Sequence, residues 1–229
     1  MNLTIIRKTA AGIAIIYILI QSFQHFVFAQ FPVASNVQEE MMQGHHSLHI
    51  ARSWLMLISM FAMLILNITV CYIASTVNRF WAIVAMAGYF TFFILEAILR
   101  SIELFYTQIY LPQQALHADP AALQDILDKF STFTNIQHAL YFPLIFSTSI
   151  TYFSLFFIFK TKVHRIIRFV MLVNILRSSW RLGSDFLNIR WLQGSLYDTV
   201  YLPLVVVVFG LTAIWLLRLK NEEILNPER

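Results

Sequence analysis

Six apolar runs dominate this chain, at about residues 9–30, 49–76, 80–106, 130–159, 166–189 and 197–219. Each exceeds the roughly 20 residues that carry a helix across about 30 Å of hydrocarbon. A backbone in hydrocarbon must satisfy its own hydrogen bonds, so runs of this length fold as helices. The expected fold is therefore all-α: a polytopic membrane protein, a six-transmembrane-helix bundle, with residues 1–229 forming a single transmembrane domain. Composition agrees. Charged residues make up 12% of the chain, against about 25% in soluble domains. Hydrophobic residues make up 59%, with a mean hydropathy of +0.68. The first run follows Arg7-Lys8 as a signal peptide would, but it continues through Phe23, Phe26 and Phe28 and is expected to be retained.

A net charge of +4 and a pI near 9.3 would suit nucleic acid if the charges were clustered. They are spread among short loops, so a sided membrane protein explains them and no nucleic-acid partner is expected. Arg7, Lys8, Arg79, Lys160, Lys162, Arg165, Arg168, Arg218, Lys220 and Arg229 fall on one side, and Lys129, Arg190 and Arg52 on the other. By the positive-inside rule both termini are cytoplasmic. The longer outer connections carry Glu39, Glu40, Asp119, Asp125 and Asp128, and Ala121–Leu127 after Asp119-Pro120 reads as a short interfacial helix. The single cysteine, Cys71, excludes an internal disulfide and a cysteine-rich metal site.

Polar residues gather at the outer end. The first run contributes Gln21, Gln24 and His25, and the second opens with His45, His46, His49 and Arg52. The third carries Glu96, Arg100 and Glu103, whose spacing places them on one helix face. The fourth opens with Asn135, Gln137 and His138. The fifth aligns Asn174, Arg177, Arg181 and Asp185, and the sixth begins with Tyr197, Asp198 and Tyr201. Ionisable groups in hydrocarbon face a cavity or one another, so the function is expected here. Pro143 and Pro203 each remove a backbone donor in the outer halves of their helices and favour a widened end. There is no GxxxG pattern, no P-loop and no dinucleotide fingerprint.

Two readings of the charges compete. Glu96, Arg100, Glu103, Arg177, Arg181 and Asp185 form either an ion-pair network that holds the bundle or the anchors of a ligand site. Excess arginine suits a carboxylate or phosphate, because its planar fork meets both oxygens. The leading expectation is an extracytoplasmic cavity that binds, senses or moves a small polar or amphiphilic ligand. Arg100, Arg177 and Arg181 are its anchors, Glu96, Glu103 and Asp185 hold them, and His138, Gln21 and Tyr201 join the site. This reading needs no cofactor. The alternative is a membrane-embedded metal-dependent hydrolase. In it His25, His45, His49, His138 and Glu103 hold a transition metal such as zinc, with His45 and His49 spaced i,i+4. A third reading is a noncatalytic subunit whose charged end docks a membrane-protein partner or a second copy of the chain.

The stretch from Ala51-Arg52 through the second run, the Val77-Asn78-Arg79 turn and the Ala-rich start of the third run resembles a family of small bacterial membrane proteins. His138 opening the fourth run and the basic turn Lys160–Arg165 share the likeness. The family is the domain of unknown function four-three-eight-six, whose members have six helices. The likeness stops short of the Arg177/Arg181/Asp185 stripe, and the family is richer in Gly and Ala and poorer in Phe. The resemblance implies the six-helix fold and a bacterial inner membrane, and no activity.

Overall fold

The computed structural model describes residues 3–187, 189 and 196–225. Arg190, Arg229 and the side chain of Asp198 lie outside the described residues. The described chain is helical and contains no strand. Helix α1 spans Leu3–Gln30, α2 Val37–Gly44, α3 Ser47–Val77 and α4 Arg79–Ile102. A π-helical stretch, Glu103–Tyr110, carries α4 into α5, Leu111–Ala115. Then come α6, Pro120–Ile158, a 3-10 turn at Lys162–His164, α7, Arg165–Asp185, α8, Leu196–Arg218, and α9, Asn221–Leu225. Five helical segments are long and apolar enough to cross a membrane: Leu3–Gln30, Ser47–Val77, Arg79–Ala115, Pro120–Ile158 and Thr199–Arg218. Helix α7, with Arg165, Arg168, Arg177, Arg181 and Asp185, is not among them.

The long helices form a ring. Each of α1, α3, α4, α6, α7 and α8 packs on the next in chain order, and α8 closes on α1. The loops bearing α2 and the start of α6 lie at one end, and the α6–α7 turn and α9 at the other. The main apolar core fills the α9 end, where Ala10, Ala11 and Ala14 of α1, Ala74 of α3 and Ala82 and Ala85 of α4 pack with Ile167, Trp215 and Leu216. Burial at the α2 end is split between two small clusters, one around Met41, Leu111 and Ile126 and one around Leu99, Leu144 and Ile145. Large apolar side chains such as Leu19, Ile58, Phe61, Phe80 and Phe153 point outward, as lipid-facing positions do.

Capping explains several boundaries. Asn78 ends α3 and begins α4, accepting a hydrogen bond from the Trp81 amide at 3.2 Å, so one residue reverses the chain. The Asp119 carboxylate accepts from the Ala121 and Ala122 amides, with Pro120 at the first helical position. Ala121–Leu127 is not a separate interfacial helix, however. It forms the first turns of the 39-residue α6, because no breaker interrupts the chain between Pro120 and Pro143. The third run likewise continues past Tyr106 to Ala115, through helical turns in a wider π register at Glu103–Tyr110. The fifth run stops at Asp185, short of Ile189. Helix α2 carries too little apolar periodicity to be read from sequence. Asn36 caps it, and the Ser35 amide and hydroxyl donate to Glu39 at 2.8 and 2.6 Å, which holds the Glu39 carboxyl below the usual carboxylate range.

Two contacts in this scaffold lead to predictions. A Cβ on Gly88 would lie 2.6 Å from the Ser147 carbonyl and 2.8 Å from the Thr151 hydroxyl, which itself donates to Ala85 across α4 and α6 at 3.0 Å. Gly88→Ala should therefore lower stability by about 1–2 kcal/mol, since overpacking outweighs the gain in helix propensity. Thermal unfolding in detergent checks this, and Gly88→Val should be worse. At the other end, the buried His164 Nδ1 accepts from Trp215 Nε1 at 3.3 Å, and burial lowers the imidazole pKa from 6.5. The unfolded chain takes up this proton more readily than the folded one, so His164 costs stability as pH falls below 6.5. Melting temperatures at pH 8 and pH 5.5 should differ less in His164→Phe than in the parent protein.

Candidate functional site

Four of the expected charges form one continuous chain of ion pairs. Arg52 of α3 meets Glu103 at 2.5 Å. The other Glu103 oxygen meets Arg100 at 2.6 Å, and Arg100 meets Glu96 at 2.9 Å. Glu96, Arg100 and Glu103 share a face because they are spaced four and three along one helix. Arg52 arrives from the neighbouring helix, stacked on the Phe28 ring at 4.7 Å. Glu103 opens the π-helical stretch, whose wide turn brings Gln108 beneath it so that the Gln108 amide donates to the same carboxylate at 3.3 Å. Two positive and two negative groups cancel within a wall whose side chains are no more than 14% exposed.

Helix α7 is neutralised differently. Arg181 lies 3.5 Å from Asp185, half-buried, with its guanidinium over the Tyr141 and Tyr197 rings. Arg177, one turn deeper, has no carboxylate and no hydrogen-bond acceptor among the described residues. It faces tyrosines instead: Tyr17 of α1, Tyr152 of α6 and Tyr197 and Tyr201 of α8. Tyr201 is fixed in turn by Gln21, whose side-chain oxygen accepts its hydroxyl at 2.8 Å. The Gln21 amide donates to the Met56 sulfur at 3.3 Å.

These groups enclose a cavity of about 580 Å³ inside the ring at the α2 end, lined by Glu96, Arg100, Arg177, Arg181, Tyr201 and His25 together with Gln24, Tyr141 and Met56. On its α9 side lies a smaller space of about 100 Å³, walled by Met60, Met63, Leu66, Val205 and Val208 together with Asn67, Tyr89, Asn174 and Thr212. Arg177, Tyr17, Tyr152, Tyr201 and Phe92 border both spaces. The guanidinium of Arg177 is thus placed where the two spaces adjoin. A separate vestibule of about 560 Å³ lies beneath α2, with Glu103, His49, Glu40 and Phe31 in its walls.

Of the residues read as ligand-binding, Glu96, Arg100, Arg177, Arg181 and Tyr201 line the main cavity. Gln21 is fully buried behind Tyr201, Asp185 stands back with Arg181, and Glu103 faces the vestibule. His138 stacks on Phe186 with ring centres 5.4 Å apart and borders neither space. The residues read as a metal set are dispersed. His25 lines the main cavity, the His45 ring is 2.7 Å from the Gln108 carbonyl, and His49 packs against Phe28 and Phe31. Glu103 is occupied by its arginines. Among the described residues no three His, Cys, Asp or Glu side chains come together as a metal-holding group, so the set of His25, His45, His49, His138 and Glu103 is not assembled. Depth along a helix, which sequence gives, does not determine azimuth. Tyr17, Tyr141 and Tyr152 escaped the sequence reading because a lone tyrosine in an apolar run carries no spacing signal.

Comparison with known proteins finds no matching family model, no matching curated protein and no matching solved structure. The geometry also yields a prediction about stability. Glu103→Gln leaves Arg52 and Arg100 short of a negative partner and should cost about 3–5 kcal/mol, as breaking a buried pair does. Urea or thermal unfolding in detergent would check it, and an unchanged midpoint would mean that the four-charge chain does not hold α3 to α4.

Proposed function

We propose that this chain is a six-span bacterial inner-membrane protein that binds a small anionic ligand, polar or amphiphilic, in a cavity open to the extracytoplasmic side. The observation that carries the reading is the guanidinium of Arg177, half-buried at the cavity wall and without a carboxylate partner among the described residues. A buried cation with no partner is costly, and a site that keeps one is built for an anion supplied from elsewhere. Arg100 is already neutralised by Glu96 and Glu103. Arg181, partly balanced by Asp185, adds to the positive field at the mouth. The tyrosine hydroxyls around Arg177 can donate to the same anion, and the aromatic rings exclude water from it.

Helix α7 is taken as the sixth span because it completes the ring between α6 and α8, with Arg177 and Arg181 turned to the interior. Arg7, Arg79, Lys160, Lys162, Arg165 and Arg218 all fall at the α9 end and orient that end to the cytoplasm. The bacterial assignment rests on the family resemblance. In a membrane of known orientation, a cysteine introduced at Glu40 should react with an impermeant maleimide added outside, and one at Lys162 should not. The reverse pattern overturns the orientation. Arg177→Gln should leave thermal stability within about 1 kcal/mol, since it breaks no pair, while abolishing the stabilisation that an anionic ligand gives. Sodium octanoate is the probe. Loss of the fold in Arg177→Gln, or undiminished stabilisation by octanoate, would refute the role of Arg177.

A further inference from the structure

Resting on the reading that Arg177 receives an anion, we infer that the ligand is an amino-bearing anion: a small molecule with a carboxylate or phosphate on Arg177 and an ammonium on Glu96. The wall of the main cavity is bipolar. Arg177 and Arg181 line it from α7, Glu96 and Arg100 from α4, and His25 from α1. Helix α6 stands between α4 and α7 in the ring, and Glu96 pairs with neither α7 arginine. Arg100 is held between two carboxylates. Glu96 ends the alternating chain Arg52–Glu103–Arg100–Glu96, so it has a partner on one side only. Its contacts with Arg100, from Nε and from one terminal nitrogen, are both made by a single oxygen, Oε1, at 2.9 Å. No ion pair or hydrogen bond among the described residues occupies the other oxygen.

That oxygen decides which anion the cavity suits. A plain carboxylate or phosphate on Arg177 shares a low-dielectric space with Glu96, where like charges repel more strongly than in water. An ammonium in the same molecule replaces that repulsion with a charge-assisted hydrogen bond. Aromatic residues lie between the two poles. Tyr17 of α1 and Tyr201 of α8 are within electrostatic reach of both Glu96 and Arg177. Phe92 lines the same cavity one helical turn before Glu96. Aromatic rings attract a cation through their faces and offer an anion no competing positive charge. Free amino acids and lipid headgroups of the phosphoethanolamine type share this pairing of charges.

The test is calorimetry on the full-length protein in dodecyl maltoside, a nonionic detergent that brings no charged headgroup, at neutral pH. Matched pairs differ only in the amino group: acetate and glycine, propionate and β-alanine, butyrate and γ-aminobutyrate. In at least one pair the amino member should bind about tenfold more tightly, as a hydrogen bond between charged groups contributes. N-acetyl-γ-aminobutyrate, which lacks the ammonium, should lose that advantage. Glu96→Gln, which keeps an oxygen for Arg100, should erase it too, while butyrate binds as well as before or better. Equal affinity within every pair, or tighter binding of the plain carboxylates, overturns the ammonium site and leaves the anion reading intact. That comparison uses the parent protein, so it stands if Glu96→Gln does not fold. Butylammonium binding as tightly as γ-aminobutyrate, or no binding of any of these probes, removes the anion reading as well. Phosphoethanolamine and a short-chain phosphatidylethanolamine separate the two sources. Tighter binding of the first assigns the site to a free solute, and tighter binding of the second to a lipid headgroup.

Discussion

A charge placed in a low-dielectric interior must find its opposite, and the bundle is organised around how that requirement is met. Arg52, Glu103, Arg100 and Glu96 meet it within the protein, through contacts of 2.5–2.9 Å that join α3 to the face of α4. Their attraction is offset by the loss of hydration, so the set contributes more to fixing helix register than to net stability. At Arg177 no carboxylate among the described residues meets it, and tyrosines face the guanidinium instead. Arg181, only partly balanced by Asp185, lines the same cavity, so these two guanidinium groups together give it its positive character.

The ring itself depends on small side chains at one end and large polar ones at the other. Alanines on α1, α3 and α4 let the helices close at the α9 end, and Gly88 lets α4 and α6 touch backbone to side chain. At the α2 end, Arg, Glu and Tyr keep the same helices apart, and the space between them is the cavity. The smaller space below Arg177 lies between the two ends. Tyr201 shows how that geometry is held: the fully buried Gln21 ties it to α1, so α8 cannot draw away without breaking a hydrogen bond shielded from water.

Sequence made part of this legible. Apolar runs located the long helices, and the spacing of Glu96, Arg100 and Glu103 predicted a shared face that the ion pairs use. Contacts between helices were not legible. That Arg52 would reach Glu103, that Gln21 would stand behind Tyr201, and that His25, His45, His49 and His138 would be scattered all depend on helix rotation, which a depth argument does not give. Nor was the π-helical stretch, since no residue type marks it; Glu103 and Gln108 pair only because the turn there is wider than an α-turn.

That wide turn has a consequence for how the two ends of the molecule are phased. Residues in an α-helix advance about 100° each, and a π stretch advances less per residue, so it takes up about one extra residue and sets everything after it back by roughly that angle relative to an α-helix of the same sequence. In this chain the rotation falls between Glu103, committed to the ion-pair wall, and Leu111, committed to the small cluster with Met41 and Ile126 beneath α2. An uninterrupted α-helix could not present both side chains correctly. The π-helix therefore works as a phase adjuster between the charged interior and its apolar cap. A single-residue deletion between Leu104 and Tyr110 would let the stretch close as ordinary α-turns with Glu103 and Leu111 kept on their faces, at the loss of the wide-turn contact between Gln108 and Glu103.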